Sequence, residues 1–259
     1  MMRLAILQMQ AVCGDVASNL DRIEQAAREA ARSGATLLVA PELVVTGYGA
    51  GEQMRALAEP AEGPSITRLS QIAGETGIAI IAGFAEQDEG TVFNSAAYVD
   101  GRSSPIVYRK SHLYGDYERG LFRPAVPSAV TFEHDGVRCG ILICYDVEFP
   151  ENVRRLARAN ADLVLVPTAL PMGASGSFIV EHMIRTRAFE NQLFVAYVNH
   201  CGADDLFSYA GRSCVAAPDG QLLATANDAD AGLLVVDIDP ALFHQSRAEN
   251  TYLRDLHPG

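Results

Sequence analysis

A carboxylate, an amine and a thiol stand where three short apolar runs stop. Glu42 follows Thr36–Ala40 and Pro41, Lys110 follows Pro105–Arg109, and Cys144 follows Val137–Ile143. In α/β proteins ligands bind just beyond the carboxyl ends of strands, so polar groups at such points are the first candidates for chemistry. The three types suit a general base, an oxyanion stabiliser and a nucleophile. Each also has a plainer reading: Cys144 as a small core residue, Lys110 as a solvated charge at a loop edge, Glu42 as a loop acid or helix cap. Cys139 falls inside its strand, where a nucleophile would be enclosed. Cys201 is a stronger rival because His200 is adjacent, but consecutive side chains on an extended chain point to opposite faces, which places His200 poorly to activate it. The six histidines show neither His-x-His nor His-Glu-x-x-His spacing, so no metal site is expected.

The elements that must position these groups alternate at the start of the chain. Leu4–Gln10 reads as a strand, and Ser18 can cap a helix with Asp21 three residues on. Leu20, Ile23, Ala27 and Ala30 line one face of that helix until Gly34, and Thr36–Ala40 reads as a buried strand closed by Pro41. Pro64–Thr76 is a helix candidate. Three runs follow, Ile78–Ala85, Val92–Val99 and Pro105–Arg109, with hairpin chemistry at Asp100-Gly101. Val130–His134 and Val137–Cys144 meet at Asp135-Gly136, another hairpin signal. The alternation then resumes with helix Glu151–Ala159, strand Leu163–Val166, helix Phe178–Gln192 and strand Phe194–Asn199. A last hairpin at Pro218-Asp219-Gly220 and a strand Leu233–Ile238 complete it. No repeat or Pro- or Ser-rich linker interrupts the chain, which reads as one α/β domain over residues 1–259 with helices covering mixed sheets.

Composition narrows the class of partner. The chain has 259 residues, of which 49% are hydrophobic, enough for a substantial core and unlike a disordered chain. Lys and Arg number 20 against 32 Asp and Glu, a net charge of −12 that repels nucleic-acid phosphates and anionic lipid. Neither nucleic acid nor a membrane is therefore expected as a partner; a small molecule is. Five cysteines without a Cys-x-x-Cys pair make neither a disulfide framework nor a structural zinc site. The apolar run Leu4–Leu7 is shorter than the ~7–15 residues of a signal-peptide core, and no run approaches the ~18 needed to span a bilayer. The expectation is a reduced, cytoplasmic protein.

Three blocks carry a resemblance. Pro41-Glu42-Leu43 with Thr46-Gly47-Tyr48, Tyr108-Arg109-Lys110-Ser111-His112-Leu113, and Cys144-Tyr145-Asp146-Val147-Glu148-Phe149-Pro150-Glu151 resemble the signature blocks of the nitrilase superfamily of carbon–nitrogen hydrolases, in that family's order. Gly83-Phe84, Phe93-Asn94-Ser95 and Leu165-Val166-Pro167-Thr168-Ala169 are similar too, so the resemblance covers nearly the whole chain. It implies a four-layer α-β-β-α sandwich with two mixed sheets, and a homodimer or larger homo-oligomer to which Thr251–Gly259 could contribute. It also implies Cys144 as nucleophile, Glu42 as general base, Lys110 as cationic stabiliser and Glu118 as a second carboxylate, with Asp116 a competitor for that last role. Pro124-Ala125 departs from the usual Pro-Gly, which bears on a turn and not on the chemistry. No cofactor is expected.

The resemblance implies a two-stage reaction in which Cys144 attacks an amide, the Tyr145 backbone N–H and Lys110 hold the oxyanion, and water resolves a thioester. Lys110 and a helix starting near Pro150 are expected to favour the thiolate. True nitrilases usually carry Trp after the nucleophile, and this chain has no Trp. Tyr145-Asp146 and Arg187–Gln192 look instead like the amidase branch, most similar to the bacterial 5-aminopentanamidase and R-stereoselective amidase group. The substrate expected is a small aliphatic primary amide, an ω-amino amide such as 5-aminopentanamide first, with Asp116, Glu118 or Glu148 to meet its ammonium and Tyr48, Thr168, Ala169 and Met172 to shape the pocket. An N-carbamoyl amino acid (β-ureido acid) amidohydrolase is the alternative, with Arg123, Arg185 and Arg212 as cations for a carboxylate. A catalytically silent binding protein on the same fold is the alternative of a different class.

Overall fold

The computed structural model describes residues 1–257; among these the strands are β1 (Met2–Gln8), β2 (Leu37–Val39), β3 (Ala79–Asp88), β4 (Thr91–Val99), β5 (Ile106–Arg109) and β6 (Thr131–His134), then β7 (Val137–Ile141), β8 (Leu163–Thr168), β9 (Phe194–Asn199), β10 (Cys214–Ala216), β11 (Leu222–Thr225) and β12 (Gly232–Ile238). They form two six-stranded sheets, ordered β12-β1-β2-β3-β4-β5 and β11-β10-β9-β8-β7-β6. Each sheet is built on a parallel trio, β1-β2-β3 in one and β7-β8-β9 in the other, and all other neighbours are antiparallel. The two halves share this plan although no repeat is visible in the sequence.

The period of two along β1 separates the layers. Leu4 and Ile6 enter the cluster between the sheets with Ile81, Tyr108, Ile141 and Leu165, whereas Ala5 and Leu7 turn to the opposite face. That outer face is covered by the helices Val16–Arg32 and Pro64–Thr76 through Leu20, Ile23, Ile66, Leu69 and Ile72. Val153, Leu156, Ile184 and Ala188 of the helices Pro150–Arg158 and Ile184–Asn191 pack over the second sheet. The result is the four-layer α-β-β-α sandwich. No helix among the described residues is long and apolar enough to cross a membrane.

Several local expectations shift. Asp15, not Ser18, caps the first helix: its carboxylate accepts the Ser18 amide at 3.0 Å and the Ser18 hydroxyl at 2.7 Å. The run Val137–Cys144 leaves the sheet at Ile141 and passes into a 3₁₀ turn over Cys144–Glu148. The helix expected over Phe178–Gln192 begins at Ala174 and carries a π turn at Ile179–Met183. The hairpin at Pro218-Asp219-Gly220 is present, with β10 and β11 pairing antiparallel across it, whereas the helix Gly115–Leu121 was not legible, being brief and of mixed polarity. Of Thr251–Gly259, Pro258 and Gly259 lie outside the described residues.

Candidate active site

Glu42 lies three residues past β2, Lys110 immediately past β5 and Cys144 three residues past β7. The first two belong to one sheet and the third to the other, so the carboxyl ends of the two sheets converge on one point. Asp146, on the turn that bears Cys144, bonds the loop that bears Lys110, and the charges of Glu42, Lys110 and Glu118 act on the Cys144 thiol. Lys110 Nζ donates to Glu42 Oε1 at 2.6 Å and to Glu118 Oε1 at 2.7 Å, and all three side chains are fully buried. Asn94 Nδ2 donates to Glu42 Oε1 at 2.7 Å, leaving Glu42 Oε2 buried with no partner. Asn94 is placed by the sheet: its carbonyl accepts the Lys110 amide at 2.8 Å where β4 and β5 pair. Tyr48 OH donates to Glu118 Oε1 at 2.8 Å, and Glu118 Oε2 accepts the Tyr114 amide at 2.9 Å at the start of the helix Gly115–Leu121.

Backbone strain marks both reacting ends. Cys144 has φ 43° and Leu43, next to Glu42, has φ 48°, a left-handed conformation that costs an L-residue roughly 1–2 kcal/mol. The strained peptide after Glu42 presses against Gly83, where an added Cβ would fall 2.2 Å from Leu43 N. Only glycine fits that approach.

The turn bearing Cys144 and the loop bearing Lys110 are knotted by Asp146, which is fully buried. Its Oδ1 accepts the Ser111 hydroxyl at 2.7 Å and the His112 amide at 2.8 Å, and its Oδ2 accepts Tyr108 OH at 2.9 Å. Arg187 braces the same turn from the helix Ile184–Asn191, donating to the carbonyls of Val147 at 2.9 Å and Glu148 at 2.6 Å. Sequence reasoning quoted Asp146 and Asn94 only as parts of motifs; a polar residue inside an otherwise apolar strand or turn was the signal that could have singled them out.

Electrostatics correct one expectation. Burial first, then the charge of Glu42, pushes the Cys144 thiol well above its ordinary value, and the pull of Lys110 toward the anion is smaller. The surroundings as a whole thus disfavour the thiolate, with the Ala169 backbone acting weakly the other way. Nor is it the helix at Pro150 that begins beside the sulfur; the 3₁₀ turn begins there, with Cys144 as its first residue. Burial likewise raises Glu118, against the opposing pull of Lys110, while the carboxylates Glu118 and Glu42 outweigh burial and raise Lys110. Burial brings Glu148, half-buried and within the field of Lys110 and Arg187, up to about 7.

The remaining candidates divide. Tyr48 is stacked edge-on against Phe207 and Tyr209, and Thr168 and Ala169 are buried at the end of β8. The Tyr145 ring packs edge-on against Tyr114 and Phe149. Asp116 is fully exposed and paired with Arg119, and Met172 is exposed, so neither joins the cluster. Arg185 donates to the Gly220 carbonyl and Arg212 pairs with Glu181 at 2.9 Å. Arg123 is exposed and lines a cavity of about 500 Å³ with His112, Tyr145 and Phe149.

Comparison with known proteins shows the family. The sequence model of the family described as carbon-nitrogen hydrolase matches residues 3–248. A Pseudomonas protegens protein named hydrolase in pqqF 5′ region is 44% identical over 262 residues, covering 99% of this chain and 90% of its own. An (R)-stereoselective amidase from Pseudomonas sp. is 36% identical over 255 residues, covering 98% and 91%. Among solved structures, a variant of the amidase from Nesterenkonia sp. AN1, with the acetamide moiety of fluoroacetamide added covalently at its active-site cysteine, superposes with a TM-score of 0.87 at 35% identity, covering 98% of this chain and 93% of that one.

Proposed function

The chain belongs to the carbon–nitrogen hydrolase family, and from that premise we propose that it is a cysteine-dependent amidase that hydrolyses small aliphatic primary amides to carboxylic acid and ammonia. The observation that carries the reading is the buried Glu42–Lys110–Glu118 cluster, with one unpartnered carboxylate oxygen, Glu42 Oε2, in the field of a buried thiol.

Cys144 Sγ attacks the amide carbon as Glu42 accepts its proton; a thiolate formed beforehand would add a negative charge beside two carboxylates, so transfer and attack go together. An ammonium has three N–H donors, and Lys110 commits two to Glu42 and Glu118. The third, with the Tyr145 amide at the second position of the 3₁₀ turn, is available to the oxyanion. Collapse of the adduct breaks the carbon–nitrogen bond, Glu42 returns its proton to nitrogen, and ammonia leaves a thioester. Glu42 then takes a proton from water as the water oxygen attacks the thioester, the carbon–sulfur bond breaks, and Glu42 returns that proton to the Cys144 sulfur as the carboxylic acid departs. Glu118 holds Lys110 and, through Tyr48, one wall of the site.

Within this class an ω-amino amide such as 5-aminopentanamide is the substrate favoured. Glu148 supplies a carboxylate at the edge of the cluster, and Tyr48, Thr168 and Ala169 supply the acyl wall. The carbamoyl alternative calls for a cation facing the site; Arg185 and Arg212 are committed to partners elsewhere, which leaves it Arg123, at the cavity beside Tyr145. A homo-oligomer fits the same reading.

The test is ammonia release from primary amides of graded chain length, with and without a terminal amine, beside N-carbamoyl-β-alanine. Mass spectrometry of acid-quenched enzyme should find an acyl group on Cys144 during turnover. Full turnover by a folded Cys144→Ala variant would overturn the assignment, and faster release from the carbamoyl substrate would transfer it to the alternative.

A further inference from the structure

His200 is the first residue beyond β9, and its place in the fold differs from that of any group in the reaction above. Met9 and His200 form an isolated parallel bridge, and the Cys201 amide donates to the Met9 carbonyl at 3.2 Å, so the backbones of the two sheets touch here. The imidazole is 1% exposed. Each ring nitrogen faces a backbone carbonyl: Nε2 stands 2.7 Å from Glu42 O and Nδ1 stands 3.2 Å from Met9 O. A neutral imidazole has one N–H to give. A carbonyl oxygen only accepts, and the shorter contact makes Nε2–H the donor to Glu42 O, while burial lowers the His200 pKa below its ordinary value.

That hydrogen bond ends on the peptide joining Glu42 to Leu43, the peptide that carries the left-handed φ of Leu43 and has Gly83 pressed beneath it. A strained backbone persists only where its surroundings over-determine it. Gly83 bounds the peptide closely, and His200 holds its carbonyl. The Tyr209 ring lies 5.1 Å from the His200 ring and packs edge-on against Tyr48, whose hydroxyl holds Glu118. The connection from β9 to β10 thus reaches both carboxylates of the site.

We infer that His200 is a positioning residue for the general base: its Nε2–H bond to the Glu42 carbonyl holds the strained Glu42–Leu43 peptide so that the unpartnered Oε2 meets the Cys144 thiol. This rests on the proposed role of Glu42. His200 touches neither substrate nor thiol, so its loss degrades proton transfer and leaves binding intact. A displacement of about 1 Å at a reacting group costs on the order of 10²-fold in rate.

Steady-state kinetics on variants at position 200 test this. His200→Leu removes the donor at similar bulk, and His200→Gln restores an N–H at similar reach. The expected result is a folded Leu variant with KM within about twofold of the parent and kcat lower by roughly 10- to 100-fold, with the Gln variant recovering most of the loss. Should Leu not fold there, the donor-free and flexible Met takes its place. A folded donor-free variant with parental kcat, or a Gln variant as slow as the donor-free one, overturns the inference. Glu42→Gln is assayed in parallel: if it keeps parental turnover the base assignment itself fails, whereas an inactive Glu42→Gln beside an unimpaired His200→Leu sinks only the role of His200.

Discussion

Desolvation of Cys144 costs the thiolate more than Lys110 returns to it, because Glu42 and Glu118 offset that one ammonium. The reactivity of this thiol is therefore lent by its base and not stored in its own pKa. Lys110→Met should lower kcat on the order of 10²–10³-fold, as loss of an oxyanion donor does, and it strands two buried carboxylates without a cation. Breaking a buried pair in this way costs about 3–5 kcal/mol, so urea denaturation should show a lower midpoint for the same variant. Glu148 titrates in a measurable window. Its folded value near 7 lies above the ordinary 4.5, so the fold favours the protonated form, and that contribution to stability is lost as pH rises from about 4.5 to about 7. Glu148→Gln should then raise Tm relative to the parent at pH 8 and not at pH 4. The parent's preference for 5-aminopentanamide over pentanamide should rise through pH 7 as the carboxylate ionises, and a flat preference in kcat/KM would remove Glu148 from substrate binding.

At the scale of elements, the site depends on how two loops from different sheets are held in register. Asp146 accepts donors from both sides, Tyr108, Ser111 and His112 on the Lys110 segment and the Ile143 amide on the Cys144 segment. Replacing the carboxylate by an amide, Asp146→Asn, turns one acceptor into a donor facing donors, and each stranded buried group costs about 1–3 kcal/mol. The expected outcome is a kcat at least tenfold lower together with a lower urea midpoint. Parental kinetics in that variant would show that the two loops hold their spacing without the knot.

For the whole molecule, the net charge of −12 sets a field that attracts a cationic amide and is indifferent to a neutral one. The Debye length falls from about 10 Å at 0.1 M salt to about 3 Å at 1 M. Raising salt across that range should lower kcat/KM for 5-aminopentanamide and leave that for pentanamide unchanged, read as initial rates in parallel series. The same decline for both substrates would point to an effect on the enzyme itself.

Much of this was legible along the chain. Period-two alternation and Gly-containing turns located most strands, and the abrupt end of three apolar runs at Glu42, Lys110 and Cys144 marked the residues that the fold brings together, because strand termination is a local property of neighbouring side chains. Glu118 was legible only through its motif, since its helix is seven residues long and half polar. The partners that tune these groups were not legible. Asn94 reaches Glu42 through the β4–β5 register, Asp146 joins residues 35 apart, and His200 meets the Glu42 peptide from 158 residues away. The direction of the Cys144 shift was misread for the same reason: a charge balance depends on how many groups share one water-free volume, and that number exists only after two sheets have closed on each other.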